Sequence, residues 1–355
     1  MNAREVVIDF GKYPASNEVK PGHRNTYYYD DNEHGGERVY ITFDMHPSEC
    51  PGYKKLTYKP QRFGTKIVGI SYGAGPLGEF QNSLEFCETV AVYYWSGDMT
   101  YRTPLIVQLT SGYSSVYFVA SEGGEADWTI LFSSQISVNL LIWLDSENCR
   151  WNGAHIIDIS KIYEESYNCY SCHRQVLGVT TLSGQKGYRK VVHRLTGGCV
   201  GRIKNGAKHV TDIMVSEGTP TVEVYWYPSR LGLPVVVYLP VPLTEYYEEE
   251  TSESSIWYRK LPGNRWTRME NYSPAINEPE SFVQLLKKIY EETTPSHLRF
   301  YYEDTGNKPV KTAPSREIII GIALLNLVGL TFICFLFRKF SPQIRRFILK
   351  GYTLL

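Results

Sequence analysis

An internal duplication constrains this 355-residue chain more than any other feature of its sequence. The stretch VAVYYWSGDMTYRTPLIV at 90–107 recurs as VEVYWYPSRLGLPVVV at 222–237, and Pro104 matches Pro234. Four further landmarks recur in the same order: VVIDFGKYP at 6–14 as IIDISKIY at 156–163, GYKKLTYK at 52–59 as GYRKVVHR at 187–194, Trp128 as Trp257, and VNLLIWLDSEN at 138–148 as VQLLKKIYEET at 283–293. A repeat on this scale predicts one folding unit present in two copies.

The duplication and the composition of the C-terminal region together define five segments. Residues 1–150 and 151–303 are the two repeat units, each the size of an ordinary domain. Residues 304–316 have the Pro, Gly and polar content of a linker or stalk. We assign 317–338 to a transmembrane helix and 339–355 to a basic amphipathic tail.

The repeat units are predicted to be mainly β. Aromatic residues make up 14% of the chain, mostly as 28 tyrosines, and large flat side chains favour pleated strands. The hexapeptide VAVYYW at 90–95 is apolar on both faces, which predicts a central strand. A short amphipathic helix ends the second unit, with apolar residues at helical spacing at Phe282, Leu285, Leu286 and Ile289. The fold class expected is a β-rich α+β protein of two homologous β-sandwich-like units, each closed by a short helix, plus a C-terminal transmembrane helix.

Aromatic side chains in the duplicated hairpins are also candidate ligand contacts. They are Tyr93, Trp95, Tyr225 and Tyr227. Such side chains dominate binding hot spots, so they would stack on a sugar or peptide if exposed. We expect them mainly to pack in the core, because repeated apolar strand pairs joined by turn residues are typical of core hairpins, and ligand contact is the alternative.

The run from Ile318 to Phe337 predicts a membrane anchor. Its 20 residues carry no charge, enough for one helix to cross roughly 30 Å of hydrocarbon, and Arg316 and Arg338 bracket it. A single-pass membrane location, with the lipid bilayer as a partner, follows from this prediction.

The side of the membrane that carries the repeats stays open between two alternatives. Basic residues are more numerous after the span than before it: Arg338, Lys339, Arg345, Arg346 and Lys350 against Lys308, Lys311 and Arg316. This asymmetry favours a cytoplasmic tail and an exoplasmic body. The opening MNAREVVIDFGKYPASNEVK is not a secretory signal peptide, which favours a cytosolic body inserted as a tail anchor.

The charge balance excludes some classes of partner. The chain has 37 Lys and Arg residues and 37 Asp and Glu residues, so its net charge is zero. Nucleic acid is not an expected partner, because the basic field that attracts it is missing. No phosphate-cradling glycine loop or catalytic constellation is visible, so we predict no cofactor.

Six cysteines lie outside the apolar run and form a candidate disulfide set: Cys50, Cys87, Cys149, Cys169, Cys172 and Cys199. They would pair in an exoplasmic body, with Cys50 and Cys87 a plausible pair, and would be free thiols in a cytosolic one. Asn271 begins the one Asn-X-Ser glycosylation acceptor, usable only in an exoplasmic body.

The motif CYSCH at 169–173 permits half a zinc site, a redox pair or a haem attachment. There is no second Cys-X-X-Cys motif. His193 and Cys199 are the residues that could complete a set of four zinc ligands. We therefore favour a structural disulfide or free thiols here and predict no metal site.

The motif GISYG at 69–73 has the Gly-X-Ser-X-Gly form of a hydrolase nucleophile elbow at Ser71. An elbow needs a helix straight after the serine, and the AGPLGEF that follows does not start one well. Lys204 occupies the place of Ser71 in the second copy. A turn between strands is therefore the preferred interpretation, with a hydrolase as the minor alternative.

The stretches VVIDFGKYP, PGYKKLTYKP and VAVYYWSGD resemble the large lineage-specific families of hypothetical proteins in piroplasm parasites (Theileria and relatives). Those families are built from tandem copies of such a unit, and the resemblance covers residues 5–300 or so. It implies a repeated domain acting at a parasite or host-cell interface, with no catalytic residues to carry over.

The expected function is therefore a single-pass, membrane-anchored and non-catalytic binding or adhesion protein with an unidentified protein or glycan ligand. The alternatives are a cytosol-facing tail-anchored scaffold and, least favoured, a hydrolase using Ser71.

Overall fold

The computed structural model describes residues 4–32, 36–73, 75–121, 127–131, 140–162, 165–183, 187–229, 232–240, 255–270 and 279–295. Both repeats belong to one compact unit, Met1–Tyr302. The predicted linker, transmembrane helix, tail and Asn271 lie outside the described residues. Within the ranges given, no helix combines the length and apolarity needed to cross a bilayer.

The first repeat contains eleven strands and one α-helix among its described residues. The strands are β1 (Glu5–Asp9), β2 (Lys20–Pro21), β3 (Thr26–Asp31), β4 (Glu37–Asp44), β5 (Tyr53–Pro60), β6 (Lys66–Tyr72), β7 (Gly75–Pro76), β8 (Thr89–Trp95), β9 (Ile106–Ser111), β10 (Ser114–Ala120) and β11 (Trp128–Leu131). A 3₁₀ helix spans Gly78–Ser83, and α1 spans Leu140–Trp151.

The second repeat contains ten strands and one α-helix in the part that the structure describes. The strands are β12 (Ala154–Asp158), β13 (Ser166–Asn168), β14 (Gln175–Ser183), β15 (Arg189–Leu195), β16 (Cys199–Asn205), β17 (Lys208–Val210), β18 (Thr221–Tyr227), β19 (Leu233–Pro240), β20 (Ser255–Leu261) and β21 (Arg265–Arg268). A 3₁₀ helix spans Pro262–Asn264, and α2 spans Pro279–Thr293.

Among the described residues the two repeats share one sheet topology, except that the first large sheet has an additional edge strand, β2. The large sheets run β11-β10-β9-β8-β5-β4-β3-β2 and β21-β20-β19-β18-β15-β14-β13, and the small sheets run β1-β6-β7 and β12-β16-β17. In both small sheets the first two strands pair in parallel, with a register shift after Val6 in one and after His155 in the other. The mainly β prediction is confirmed.

Each repeat is built in three layers. In the first repeat, Ile8 and Ile70 of the small sheet pack with Val92 of the large sheet. On the opposite face of the large sheet, Tyr93 packs in one cluster with Leu144 of α1. Burial of each such side chain contributes about 1.5–3 kcal/mol, so the apolar patterns of strand and helix specify the layers together.

The second repeat has the same layers. Ile157 and Ile203 of the small sheet pack with Val224 of the large sheet. Helix α2 covers the other face, where Leu286 packs with Val236. The helix prediction is confirmed, because Leu286 lies on the predicted apolar face and is fully buried.

The predicted central strand is also confirmed, but the aromatic residues of the hairpins are not free to contact a ligand. Strand β8 lies between β5 and β9, and both Tyr93 and Trp95 are 1% exposed. Tyr225 is buried as well, and the half-buried Tyr227 packs edge-on against Tyr290 at 5.7 Å. Because both faces of these strands are covered, Tyr93, Trp95 and Tyr225 belong to the core, and Tyr227 packs at its edge.

Strand register corrects one landmark of the sequence repeat. Ala120 faces Trp128 across β10 and β11, and Lys260 faces Trp266 across β20 and β21. Trp128 therefore corresponds to Trp266 and not to Trp257, which lies one strand earlier. The sequence match was wrong because two tryptophans occur close together in the second copy.

A buried ion pair joins the two repeats. Arg202 of β16 lies 2.9 Å from the carboxylate of Asp145 in α1 and donates to the carbonyl of Pro51 at 2.8 Å. Tyr53 donates its hydroxyl to Asp145 at 2.6 Å. Burial raises the pKa of Asp145 to about 6, although Arg202 opposes the shift. The pair fixes the small sheet of the second repeat against the helix of the first.

Candidate functional site

Each repeat has a cleft at the carboxyl end of the parallel strand pair in its small sheet. The first cleft has a volume of about 460 Å³ and is lined by, among others, Asp9, Lys12, Glu18, Tyr29, Asp30 and Asp31. The second has a volume of about 500 Å³ and is lined by Ile156, Asp158, Lys161, Tyr167, Asn168, Tyr170 and Lys204. Both volumes fall in the range of small-molecule pockets.

The two clefts share one frame. The backbone N–H of Asp9 donates to the hydroxyl of Tyr29 at 3.1 Å, and that of Asp158 donates to the hydroxyl of Tyr167 at 3.1 Å. Both tyrosines are buried. The bond forms in both copies because the strand pair brings the same backbone group to the same neighbouring strand.

The first cleft is acidic. It contains four carboxylates against Lys12, which pairs with Glu18 at 2.9 Å and lies 4.9 Å from the ring centre of Tyr29. Arg38 pairs with Asp30 at 2.8 Å, and the N–H of Gly11 donates to Asp9 at 2.8 Å. Burial raises the pKa of Asp9, because its carboxylate loses part of its hydration.

The second cleft has the opposite balance of charge, with two lysines against one carboxylate. Asp158 is satisfied internally, because one of its oxygens accepts the N–H groups of Ser160 at 3.1 Å and Gly206 at 2.9 Å. Lys204 lies 3.7 Å from the other oxygen and 4.6 Å from the ring centre of Tyr170. The lining of the second cleft therefore carries one more positive than negative side chain.

Ser71 is in the first cleft but not in a nucleophile elbow. It lies in β6 opposite Asp9, and a turn leads from it directly into the short strand β7. Lys204 lies opposite Asp158 at the same register in the second repeat, as the sequence predicts. The elbow geometry needs a helix after the serine, and here a second strand follows.

A cluster of three cysteines and one histidine lies where the repeats join. One donor atom from each of Cys149, His155, Cys169 and Cys172 lies within 4.8 Å of every other. The thiol sulphurs of Cys149 and Cys169 are 3.6 Å apart, and Nδ1 of His155 is 3.2 Å from the sulphur of Cys172. No other group of three or more such ligands occurs among the residues that the structure describes.

Three separate elements position the cluster. Cys149 lies in the last turn of α1, His155 lies at the register shift of β12, and the two remaining cysteines lie in the turn that follows β13. A register shift of this kind re-aims a side chain, here the imidazole. Gly198 lies against that ring, since a Cβ atom there would come within 3.0 Å of Nε2 and still closer to the Gly153 carbonyl.

Hydrogen bonds converge on the sulphur of Cys169. The N–H of Ile156 donates to it at 3.3 Å, and the neighbouring thiol of Cys149 is at 3.6 Å. The thiol of Cys149, together with His155 and backbone N–H groups, holds the pKa of Cys169 well below its usual value and so favours a thiolate. The same sulphur pair and burial raise the pKa of Cys149.

The sequence interpretation of the CYSCH motif missed Cys149 and His155, and it named His193 and Cys199 in their place. His193 is fully buried elsewhere, 3.0 Å from the Tyr167 hydroxyl, and Cys199 faces the carbonyl of Asn152 at 3.8 Å. Neither belongs to the cluster. The signal available was the nearness in sequence of Cys149 and His155 to the motif, but a contact between helix and strand is not visible in spacing alone.

Cys50 and Cys87, the pair expected in an exoplasmic body, do not form a disulfide. Cys50 packs in the cluster beneath α1, whereas Cys87 packs between the small and large sheets of the first repeat. All six described cysteines are free thiols.

Comparisons of the chain with protein-family models, with curated proteins and with solved structures each found no match. Any functional conclusion therefore rests on the geometry and chemistry of the chain itself.

Proposed function

We propose that this chain is a single-pass, membrane-anchored and non-catalytic binding protein whose two repeats, each a β-sandwich-like unit closed by a helix, present one charged cleft each. The observation that carries the proposal is one cleft kept in both copies with its charge reversed. The Tyr hydroxyl and Asp N–H frame is the same in each, while the lining changes from acidic to basic. Function resides in such sites and not in the fold that carries them.

The alternative function as a hydrolase that uses Ser71 has little support. The candidate nucleophile Ser71 lies on a strand that leads into another strand, and Lys204 takes its place in the second copy. A position that alternates between serine and lysine at the rim of a cleft fits a role in ligand selection.

The charges of the clefts suggest the class of ligand. The first cleft suits basic groups such as lysine or arginine side chains, because its four carboxylates outnumber Lys12 and Arg38, the two basic residues that pair with them. The second suits carboxylates, because Lys161 and Lys204 outnumber Asp158. A protein partner that presents both kinds of side chain would engage both repeats, and such complementarity contributes mainly to specificity and association rate.

A reciprocal exchange between the clefts tests this proposal. The full chain in detergent micelles would be titrated with tetralysine and with tetraglutamate by calorimetry. Ser71→Lys should weaken tetralysine binding, and Lys204→Ser should weaken tetraglutamate binding, each about fivefold, because one charge pair near a surface is worth about 1 kcal/mol. Lys287→Ser, which removes an exposed lysine on α2, is the control for net charge.

The result that overturns the proposal is equally specific. Absence of binding by both peptides at low salt, or equal weakening by Lys204→Ser and Lys287→Ser, would mean that the clefts are not the sites of recognition.

The membrane anchor of the proposal is supported by the uncharged run at 318–337. The chain should remain in the pellet when membranes are extracted with alkaline carbonate, and deletion of 318–337 should release it. The resemblance to piroplasm families supports a place at a parasite or host-cell interface.

The tail-anchored scaffold is the second candidate, and the free thiols favour it. All six described cysteines are unpaired, as expected of a reducing compartment. Protease digestion of the repeats from the cytosolic side of sealed vesicles would support the scaffold, and protection would support the exoplasmic binding protein.

A further inference from the structure

The cysteine and histidine cluster has the donor set of a zinc site. Three thiols and one imidazole match the Cys₃His combination of structural zinc centres, and soft sulphur ligands select zinc over magnesium or calcium. The site is built from Cys149, His155, Cys169 and Cys172 and needs no residue from another chain.

The distances agree with a tetrahedral ion. Zinc with Zn–S bonds of about 2.3 Å and a Zn–N bond of about 2.0 Å holds its donors about 3.5–3.8 Å apart. The sulphurs of Cys149 and Cys169 are 3.6 Å apart, and Nδ1 of His155 is 3.2 Å from the sulphur of Cys172. All pairs lie within 4.8 Å, so small side-chain rotations bring the four donors around one centre.

The backbone around Cys169 supports ligand sulphurs. The N–H of Ile156 points at the sulphur of Cys169, and such N–H groups stabilise the negative charge of a bound thiolate. Two backbone hydrogen bonds of Cys169 close the turn: the N–H of His173 donates to the carbonyl of Cys169 at 3.0 Å, and the N–H of Cys169 donates to the carbonyl of Arg174 at 2.7 Å. His173 adopts a φ of 56°, in the left-handed region that single residues adopt where a turn ends.

A disulfide does not account for the whole cluster. A bond between Cys149 and Cys169 would use two of the four groups and leave Cys172 and His155 facing a pair of sulphurs. Four donors from three separate elements within one small sphere are what a metal ion requires, and a disulfide requires only two.

We propose that Cys149, His155, Cys169 and Cys172 bind one Zn²⁺ ion in a closed structural site that ties the helix of the first repeat to the second repeat. Four protein ligands leave no position for water or substrate, so the ion holds structure and does no chemistry. This inference stands apart from the proposed function, since it needs neither cleft to bind a ligand.

The ion also fixes one wall of the second cleft. Asn168 and Tyr170 flank Cys169 in the chain, and Ile156 follows His155, and all three line that cleft. Loss of the metal is therefore expected to loosen the second cleft and leave the first unchanged.

Metal analysis of the full chain tests the proposal directly. The protein is purified in detergent with reducing agent and without added metal, and its zinc is measured by plasma mass spectrometry. We expect one zinc ion per chain in the wild type and in Cys87→Ser, which alters a buried cysteine outside the cluster. Cys169→Ser should fall to the background.

Cobalt substitution supplies a readout that a purely structural cysteine would not give. Co²⁺ in place of zinc should show thiolate charge-transfer bands and the intense visible bands of tetrahedral cobalt. Cys172→His keeps four ligands, so it should still bind cobalt, with charge-transfer intensity lower by about a third as three thiolates become two.

The proposal is overturned by a folded wild-type chain that contains no zinc and gives no tetrahedral cobalt spectrum under reducing conditions. An unchanged zinc content in Cys169→Ser, or a disulfide between Cys149 and Cys169 in the metal-free native chain, would overturn it as well. If the Cys169→Ser variant misfolds, the wild-type zinc content and the cobalt spectrum of Cys172→His decide the question.

Discussion

In the two repeats, the same backbone N–H group donates its hydrogen bond to chemically different acceptors. After the register shift in each small sheet, the N–H of Val7 donates to the carboxylate of Asp31 at 3.0 Å, and the N–H of Ile156 donates to the sulphur of Cys169 at 3.3 Å. Asp31 and Cys169 are equivalent, since each lies two residues after the tyrosine that frames its cleft. In the first repeat the acceptor makes its cleft acidic, and in the second it is a proposed zinc ligand. The fold therefore requires an acceptor at this position but does not fix its chemistry.

A second pair of equivalent positions separates the repeats more strongly. Gly69 lies opposite Val7 in the first small sheet, and Arg202 lies opposite Ile156 in the second. Arg202 forms the buried pair with Asp145 and so links the repeats. The arginine at this position thus gives the second small sheet a link to the first repeat that a glycine cannot form.

Removal of this link should have the largest effect on stability. Arg202→Ala leaves Asp145 buried without its partner, and we expect a loss of about 3–5 kcal/mol in the free energy of unfolding, measured by urea denaturation. The double variant Arg202→Met with Asp145→Leu removes both charges and should recover most of the loss. A loss under 1 kcal/mol in Arg202→Ala would show that the pair does not hold the repeats together.

His193 in the second repeat occupies the position of Tyr58 in the first. Each lies opposite the first valine of the central strand of its repeat. Burial lowers the pKa of His193 to about 4, from an ordinary value of 6.5. The unfolded chain then binds a proton at a higher pH than the folded chain does. The stability due to neutral His193 is complete above pH 6.5 and is lost as the pH falls towards 4.

Acidification from pH 7 to pH 5 should therefore cost about 2 kcal/mol through this residue. Parallel urea titrations of the wild type and His193→Phe at both pH values check the prediction. The variant should lose less stability on acidification whatever its absolute stability, because Phe does not titrate. Equal losses in the two proteins would contradict it.

The smallest expected effect concerns a partly exposed ion pair on the helix-covered face of the central strands. Glu223 pairs with Lys190 at 2.7 Å, whereas Ala91 occupies the equivalent place in the first repeat. Glu223→Ala makes the second strand like the first and removes a partly exposed ion pair, so it should cost less than 1 kcal/mol. A thermal melt at low and high salt checks it, and the difference should shrink as salt screens the pair.

Much of the fold could be predicted from the sequence because its signals are local. The repeated landmarks, the two-faced apolar strand around Val92 and the apolar face around Leu286 all follow from side-chain periodicity. The equivalence of Ser71 and Lys204 was also predicted, since both end the same repeated strand.

The parts that sequence could not predict depend on contacts between distant segments. The parallel pairing of β1 with β6 crosses more than fifty residues of intervening chain, and it creates the clefts. Cys149 reaches Cys169 only because α1 ends beside β12. The sequence left ligand contact open for Tyr93 and Trp95 beside core packing, because whether a helix covers a strand depends on tertiary structure.

The position of Cys149 has a consequence for how such a centre originates. By duplication the residue belongs to the end of one copy, whereas His155, Cys169 and Cys172 belong to the start of the next. The cluster of four residues thus belongs to the junction between two copies and not to either copy. A single unit of this design therefore has no such cluster within itself. Tandem copying creates the opportunity, and an array of any length has one fewer junction than it has copies.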